Sequence, residues 1–464
     1  MPRFTLLLIG AAFGWGIAPR SSDAIRHTVS DGGPSYVELR PSSQDEIRNV
    51  MDLLGAVRNV PPVVCGLTAE AASGWGGRGF YDAPATPLGT ATAMRVAYFP
   101  RGALRLSEIA VLVDSLASPN ACVRELAVRL VGRVDADIVQ DRLIERLNRG
   151  DSTTREAAAL GLGLVQARAA VEPLLRTARD PDNGVRGNSI WALGRIGDER
   201  AAVTVRAALQ EDESEVRVAA AGAVGHLELA DAVQDLLRVL RSDPEPRVRR
   251  AAAWALGEIR RPEAVDGLVA VLRTERDDET REMIVWALGT LRASSASSAL
   301  VDALRRDSSA DVRESAAWAL GTIEPSEAVA ALGEAAASDR DDDVRGTAAW
   351  AIGQIRPTQA PRGLIRAVSD AREHVRAKAA WAISEIGDTT AIAPLRQALR
   401  TEQNKTARRA QLRALIKSGE RSEEFFRELL ASEDAGVREA AVRGIAGRGM
   451  NPWPWPQPRP RPYP

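Results

Sequence analysis

The chain has 464 residues, 45% of them apolar but only 4% aromatic; this length and composition argue against one compact core and favour closely packed helices over sheets. Its 61 Lys and Arg almost cancel its 62 Asp and Glu, leaving a net charge of -1, and the basic residues are spread along the chain, which argues against nucleic acid as a partner. Two cysteines, Cys65 and Cys122, without C-x-x-C spacing, are too few for a disulfide scaffold or a thiolate metal site.

In chain order, Arg3 precedes an almost wholly apolar run from Phe4 to Ile17. The run is shorter than the ~20 residues a membrane helix needs and suits the core of a secretory signal. Two small-x-small triplets come at its end, Gly16-Ile17-Ala18 and Ser22-Asp23-Ala24. Residues 1–24 are expected to be a signal peptide and the chain to be exported, periplasmic or secreted; a buried N-terminal helix is the alternative. No later segment is apolar enough to cross a membrane.

Residues 25–100 form an expected N-terminal cap. Asp45 to Val57 reads as helical, Val63 to Ala72 as a degenerate hairpin element, and Ser73 to Thr92 as a Gly/Pro-rich loop. In an exported chain a Cys65 to Cys122 disulfide could tie this cap to the residues after 100; two buried thiols fit equally well.

From residue 101 to 449 one pattern recurs. A Val-Arg or similar dipeptide places Arg at 124, 155, 186, 217, 249, 281, 313, 345, 376, 408 and 438, with steps of 30 to 32 residues. The residue seven after each Arg is aliphatic, from Val131 to Ile445, and the residue ten after is Val, Ile or Leu from Val134 to Ile386. At 100° per residue these share one face, so the segment after each Val-Arg is an amphipathic helix, called helix B here. Shorter apolar runs upstream, such as Ala264 to Leu272, supply helix A of an antiparallel hairpin. One hairpin cannot bury its own apolar face, so neighbours must stack. The expected fold is all-α, a right-handed α-solenoid of about eleven 31–32-residue repeats.

Runs such as Val312-Arg313-Glu314-Ser315-Ala316-Ala317-Trp318-Ala319-Leu320-Gly321-Thr322-Ile323 resemble the HEAT-repeat family, in particular its short, phycobilisome-lyase-like variety. An acid stands six residues before the Arg in eight consecutive copies: Asp180 and Arg186, Glu211 and Arg217, Asp243 and Arg249, Glu275 and Arg281, Asp307 and Arg313, Asp339 and Arg345, Asp370 and Arg376, Glu402 and Arg408. The resemblance implies that these acids and arginines form a ladder linking adjacent repeats; Arg can fork to a carboxylate and to loop carbonyls at once. The first two and last copies lack the acid, as terminal repeats often depart from a pattern.

Only three histidines occur, His27, His226 and His374, too dispersed for one metal or acid-base site. No H-E-x-x-H, G-x-S-x-G or phosphate-loop motif is present, and there is no His-Glu dipeptide of the kind that holds iron in the HEAT-like deoxyhypusine hydroxylases. Neither catalytic residues, a metal nor a cofactor is expected; bilin lyase or isomerase activity, suggested by the subfamily's name, is the enzymatic alternative. Five residues after the Arg, six copies carry Trp: Trp191, Trp254, Trp286, Trp318, Trp350 and Trp381, with Gly222 interrupting the run. On a helical wheel this position lies about 150° from the apolar face. Two readings are open, rings packed between repeats or rings lining a concave groove that holds a protein or peptide partner. The second makes the chain a non-catalytic interaction scaffold; a purely structural, envelope-associated array is the other alternative.

The tail, residues 450–464, has Pro at every even position from Pro452, with Trp453, Trp455, Arg459, Arg461 and Tyr463 between. Such a segment is extended and contains no P-x-x-P motif. It is expected to be a semi-rigid spacer or anchor, or to recognise a partner.

Overall fold

The computed structural model describes residues 6–10, 25–28, 35–39, 95–96, 104–433 and 435–446. From Leu106 to Ile445 these are α-helical pairs, eleven in number among the described residues, each a helix A followed by a helix B. The chain divides into two compact bodies, one ending at Ile259 and one beginning at Arg260. Five pairs belong to the first and six to the second.

Several helices B start where the sequence supplies a cap, while those beginning after Glu213, Ser309 and Arg372 have no side-chain cap. Four residues before the repeat's Arg, the side chains of Asp151, Asp182, Asp277, Asp341 and Asn404 accept hydrogen bonds from the backbone N–H of Thr154, Val185, Thr280, Val344 and Ala407. These satisfy donors that the first turn would otherwise leave unpaired.

The exit is also regular, because in the second to tenth copies the residue eleven after the Arg turns left-handed. It is Gly at Gly197, Gly387 and Gly419, but Gln166, Glu228, Arg260, Arg292, Glu324 and Arg356 hold φ between 49° and 63°. A β-carbon is strained there. The conformation is held because it closes the helix: Glu324 N–H donates to the carbonyl of Leu320 at 2.9 Å and Arg356 N–H to that of Ile352 at 3.0 Å.

A short 3-10 turn then leads into helix A in most pairs, and its last residue is a fully buried alanine: Ala170, Ala201, Ala232, Ala264, Ala296, Ala328 and Ala391. The aliphatic residue seven after each Arg is completely buried in the first ten copies, from Val131 to Leu415, and forms the spine of the core in each body.

The α-solenoid is as the periodicity requires. Outside the array, the structure adds a four-stranded antiparallel sheet that the apolar pattern did not suggest, in the order Ile25–Thr28, Ser35–Leu39, Leu6–Gly10, Arg95–Val96. Leu6–Gly10, within the apolar run read as a signal core, is an inner strand there, one that cleavage after residue 24 would remove. The segments read as a helix over 45–57 and as a loop over 73–92, the Cys65 to Cys122 pairing and the Pro-rich tail lie outside the described residues.

Candidate functional site

The candidate surface is built on helix B, whose N-terminal edge carries the ladder. Within each body the acid meets the Arg of the preceding repeat, 25 or 26 residues upstream, and not the Arg six residues downstream, in seven pairs. In the first body the pairs are Arg155 to Asp180, at 2.9 and 2.8 Å, and Arg217 to Asp243, at 2.7 and 3.0 Å. Arg186 and Glu211 are looser, at 3.5 Å. In the second body Arg281 forks to Asp307, Arg313 to Asp339, Arg345 to Asp370 and Arg376 to Glu402, with all eight distances between 2.6 and 3.1 Å.

The Arg six residues after an acid holds that acid's backbone instead. Arg186, Arg313, Arg345 and Arg376 each donate Nη1–H to the carbonyl of the acid upstream, Asp180, Asp307, Asp339 and Asp370, at 2.9 or 3.0 Å. Each guanidinium therefore joins its own loop to the next repeat's loop. Most of the carboxylates also accept the N–H two residues on, as Asp339 does from Asp341 and Asp370 from Arg372.

Burial acts to raise the pKa of Asp339, Asp370 and Glu402, but the guanidiniums of Arg313, Arg345 and Arg376 and the nearby backbone N–H donors outweigh it. The carboxyls are held below their usual range. A carboxylate with a depressed folded-state pKa stabilises fully above its unfolded pKa, and that stabilisation is lost as pH falls through the folded value. The melting temperature is thus expected to hold down to about pH 5 and to fall steadily below about pH 4. A thermal series from pH 7 to pH 2 checks this; a flat profile on the acid side contradicts it.

The tryptophans correct one expectation. A wheel drawn for a single hairpin turns them away from the core, towards an open groove. In the stack that side of helix B faces the preceding helix B. Trp191, Trp254 and Trp350 are buried, at 2 to 4% exposure, while Trp286, Trp318 and Trp381 are half-buried.

Five of the six rings lie on the glycine eight residues after the preceding Arg. A β-carbon on Gly163, Gly225, Gly289, Gly321 or Gly353 would lie 2.5 to 2.7 Å from Cζ3 of Trp191, Trp254, Trp318, Trp350 or Trp381. The Ala after each Trp brings its Cα to 2.8–3.1 Å of the same point. The notch beside each ring is therefore filled by the neighbouring repeat's ring. Where the ring is absent, at Gly222, Gly194 meets Ala223 directly.

Charged and aromatic partners sit at the rim of this packing. The Arg195 guanidinium lies 5.8 Å from the Trp191 ring centre, and His226 meets Trp254 edge-on at 5.1 Å. His374 Nε2 is 3.7 Å from Asp342 and 3.9 Å from Asp343. Burial lowers the Lys378 pKa against the opposing pull of Glu314 and Asp343.

Among the described residues no group of three or more His, Cys, Asp or Glu could hold a metal, and no helix is long and apolar enough to cross a membrane. One polar cleft of about 400 Å³ lies beside Gln210, Arg217, Asp235, Arg238 and Asp243. Its charges are already engaged, Arg217 by Asp243 and Asp235 by Arg206 and Arg238.

No curated protein matches the chain. Among solved structures, importin beta is 16% identical over 85% of this chain, with a TM-score of 0.54. Yeast importin-beta, Kap95p, is 16% identical over 88% with a TM-score of 0.49, and an engineered protein is 21% identical over 74% with a TM-score of 0.42. The chain spans 64% of that importin beta, 63% of Kap95p and 98% of the engineered protein. These are likenesses of fold alone. Models of HEAT repeats match residues 140–221, 202–289, 265–352 and 329–416, more than half of the sequence. With paired helices, a repeating Arg and a ladder between loops in the same residues, the chain belongs to the HEAT-repeat family.

Proposed function

We propose that the chain is a non-catalytic scaffold that binds a protein or peptide along the helix-B face of its second body. The observation that carries this reading is the partial exposure of Trp286, Trp318 and Trp381, which leaves part of each residue at the surface although the rings also pack. They span three repeat steps, roughly 30 Å at about 10 Å each. Thr322, Gln354 and Glu385, nine residues after the Arg, are half-buried beside them. Aromatic anchors interleaved with adaptable polar groups suit an extended peptide. Trp191, Trp254 and Trp350 drop out as anchors because they are buried.

The ladder acids are read as architecture, since Arg and backbone N–H groups hold them. The 31–32-residue period supports the short, phycobilisome-lyase-like variety of repeat.

Peptides selected from a random library against the full chain should bind this face. Thr322→Arg with Gln354→Arg changes only groups at its rim, so the melting temperature should stay within a degree or two while affinity falls about tenfold or more. Selection that yields no binder, or binders indifferent to the two substitutions, contradicts the proposal.

A further inference from the structure

The last repeat ends the array without changing its apolar residues. Four and seven residues after the Arg, every one of the first ten copies is fully buried, as Ala317 and Leu320 are in the seventh and Leu412 and Leu415 in the tenth. In the eleventh copy the same positions hold Val442 and Ile445, at 55% and 58% exposure. Leu430 on its helix A is 41% exposed; in the same register Leu209 and Val368 are buried, whereas Arg241, Arg273, Arg305 and Arg400 reach water. Among the described residues no repeat follows the eleventh copy. A terminal repeat left to water normally carries polar residues on that face.

The open face is small, on the order of a few hundred Å² for three partly exposed aliphatic side chains. A stable dimer buries about 1,600 Å², so this face alone does not make one. Two tryptophan rings, which bury about 150–250 Å² each, match it.

Two tryptophans come directly after it in the chain. The described helix ends at Ile445, and Trp453 and Trp455 come after Gly447-Arg448-Gly449-Met450-Asn451-Pro452. At about 3.3 Å per residue the seven residues from Gly447 to Trp453 reach roughly 20 Å, twice the ~10 Å width of a helix. Gly447 and Gly449 permit the chain to reverse. Trp453 and Trp455 each precede a proline, which restricts them to extended conformations. Residues two apart on extended chain share a side, and little conformational freedom remains to be lost on docking.

We infer that the Pro-rich tail folds back as the cap of the array, with Trp453 and Trp455 covering Leu430, Val442 and Ile445. The test compares amide hydrogen exchange in the full-length chain and in its W453A/W455A variant. These substitutions lie beyond the repeats and remove no contact within them. Amides of 435–445 are expected to exchange roughly tenfold faster in the variant, with those of 310–355 unchanged. Equal exchange of 435–445 in both chains overturns the inference. So does protection that rises with protein concentration and ignores the tail substitutions, which would mean that a second copy covers the face.

Discussion

Replacing Gly321 with Ala is expected to destabilise the second body by about 3 kcal/mol, the upper range for overpacking a filled interior. The added carbon would sit 2.6 Å from Cζ3 of Trp350 and 2.9 Å from Cα of Ala351. A ring at the end of two torsions could slide aside, but the Ala351 backbone could not without parting two consecutive helices B. Trp350→Ala should cost about 3–5 kcal/mol by leaving a cavity. In that background Gly321→Ala should cost less, since one of its two obstacles is gone. Urea unfolding followed by circular dichroism measures all three variants. A Gly321→Ala chain with an unchanged midpoint would mean that ring and glycine do not interlock.

Asp339→Ala should cost about 3–5 kcal/mol, because it leaves the Arg313 guanidinium buried without its carboxylate. Arg313 is 4% exposed, with both fork distances at 2.8 Å. Asp339→Asn keeps the shape and an acceptor oxygen and should cost less, about 1.5–3 kcal/mol. The comparison lies in the same body, where Arg305 and Glu334 form an exposed two-point pair at 3.0 and 3.2 Å. Glu334→Gln should cost no more than about 1 kcal/mol, since water screens it. Equal losses at Asp339 and Glu334 would mean that the ladder is surface decoration.

The repeat was legible because a solenoid writes one local solution many times. The Arg, the aliphatic residue seven later and the acid six earlier each recur at a fixed offset, and each has one structural role. The partner of each acid was less legible: an offset of six within one copy hides an offset of 25 or 26 to the Arg that receives the carboxylate. The tryptophans show the same difficulty. A helical wheel measures direction against one hairpin's core, whereas helix B packs against helices B on both sides.

A signal for that packing is present. Trp follows the glycine by 28 or 29 residues at Gly163 and Trp191, Gly225 and Trp254, Gly321 and Trp350, whereas Ser384 is followed at the same distance by Arg413. Glycine and ring are lost together at that boundary, though not at Gly194, which is followed at this distance by Gly222. The buried alanine closing each 3-10 turn gave no signal that separates it from the many other alanines. The N-terminal strands pair residues as distant as Leu6 and Val96, a separation that no local period reveals.

The repeat tryptophans are seated between repeats, with only three partly open. Acrylamide quenching of a chain in which Trp15, Trp75, Trp453 and Trp455 are Phe leaves the six repeat rings as the only tryptophan emitters. Such seating should give blue-shifted emission with two classes of equal size, one nearly unquenched from Trp191, Trp254 and Trp350 and one partly quenched from Trp286, Trp318 and Trp381. Red-shifted emission quenched uniformly would contradict it.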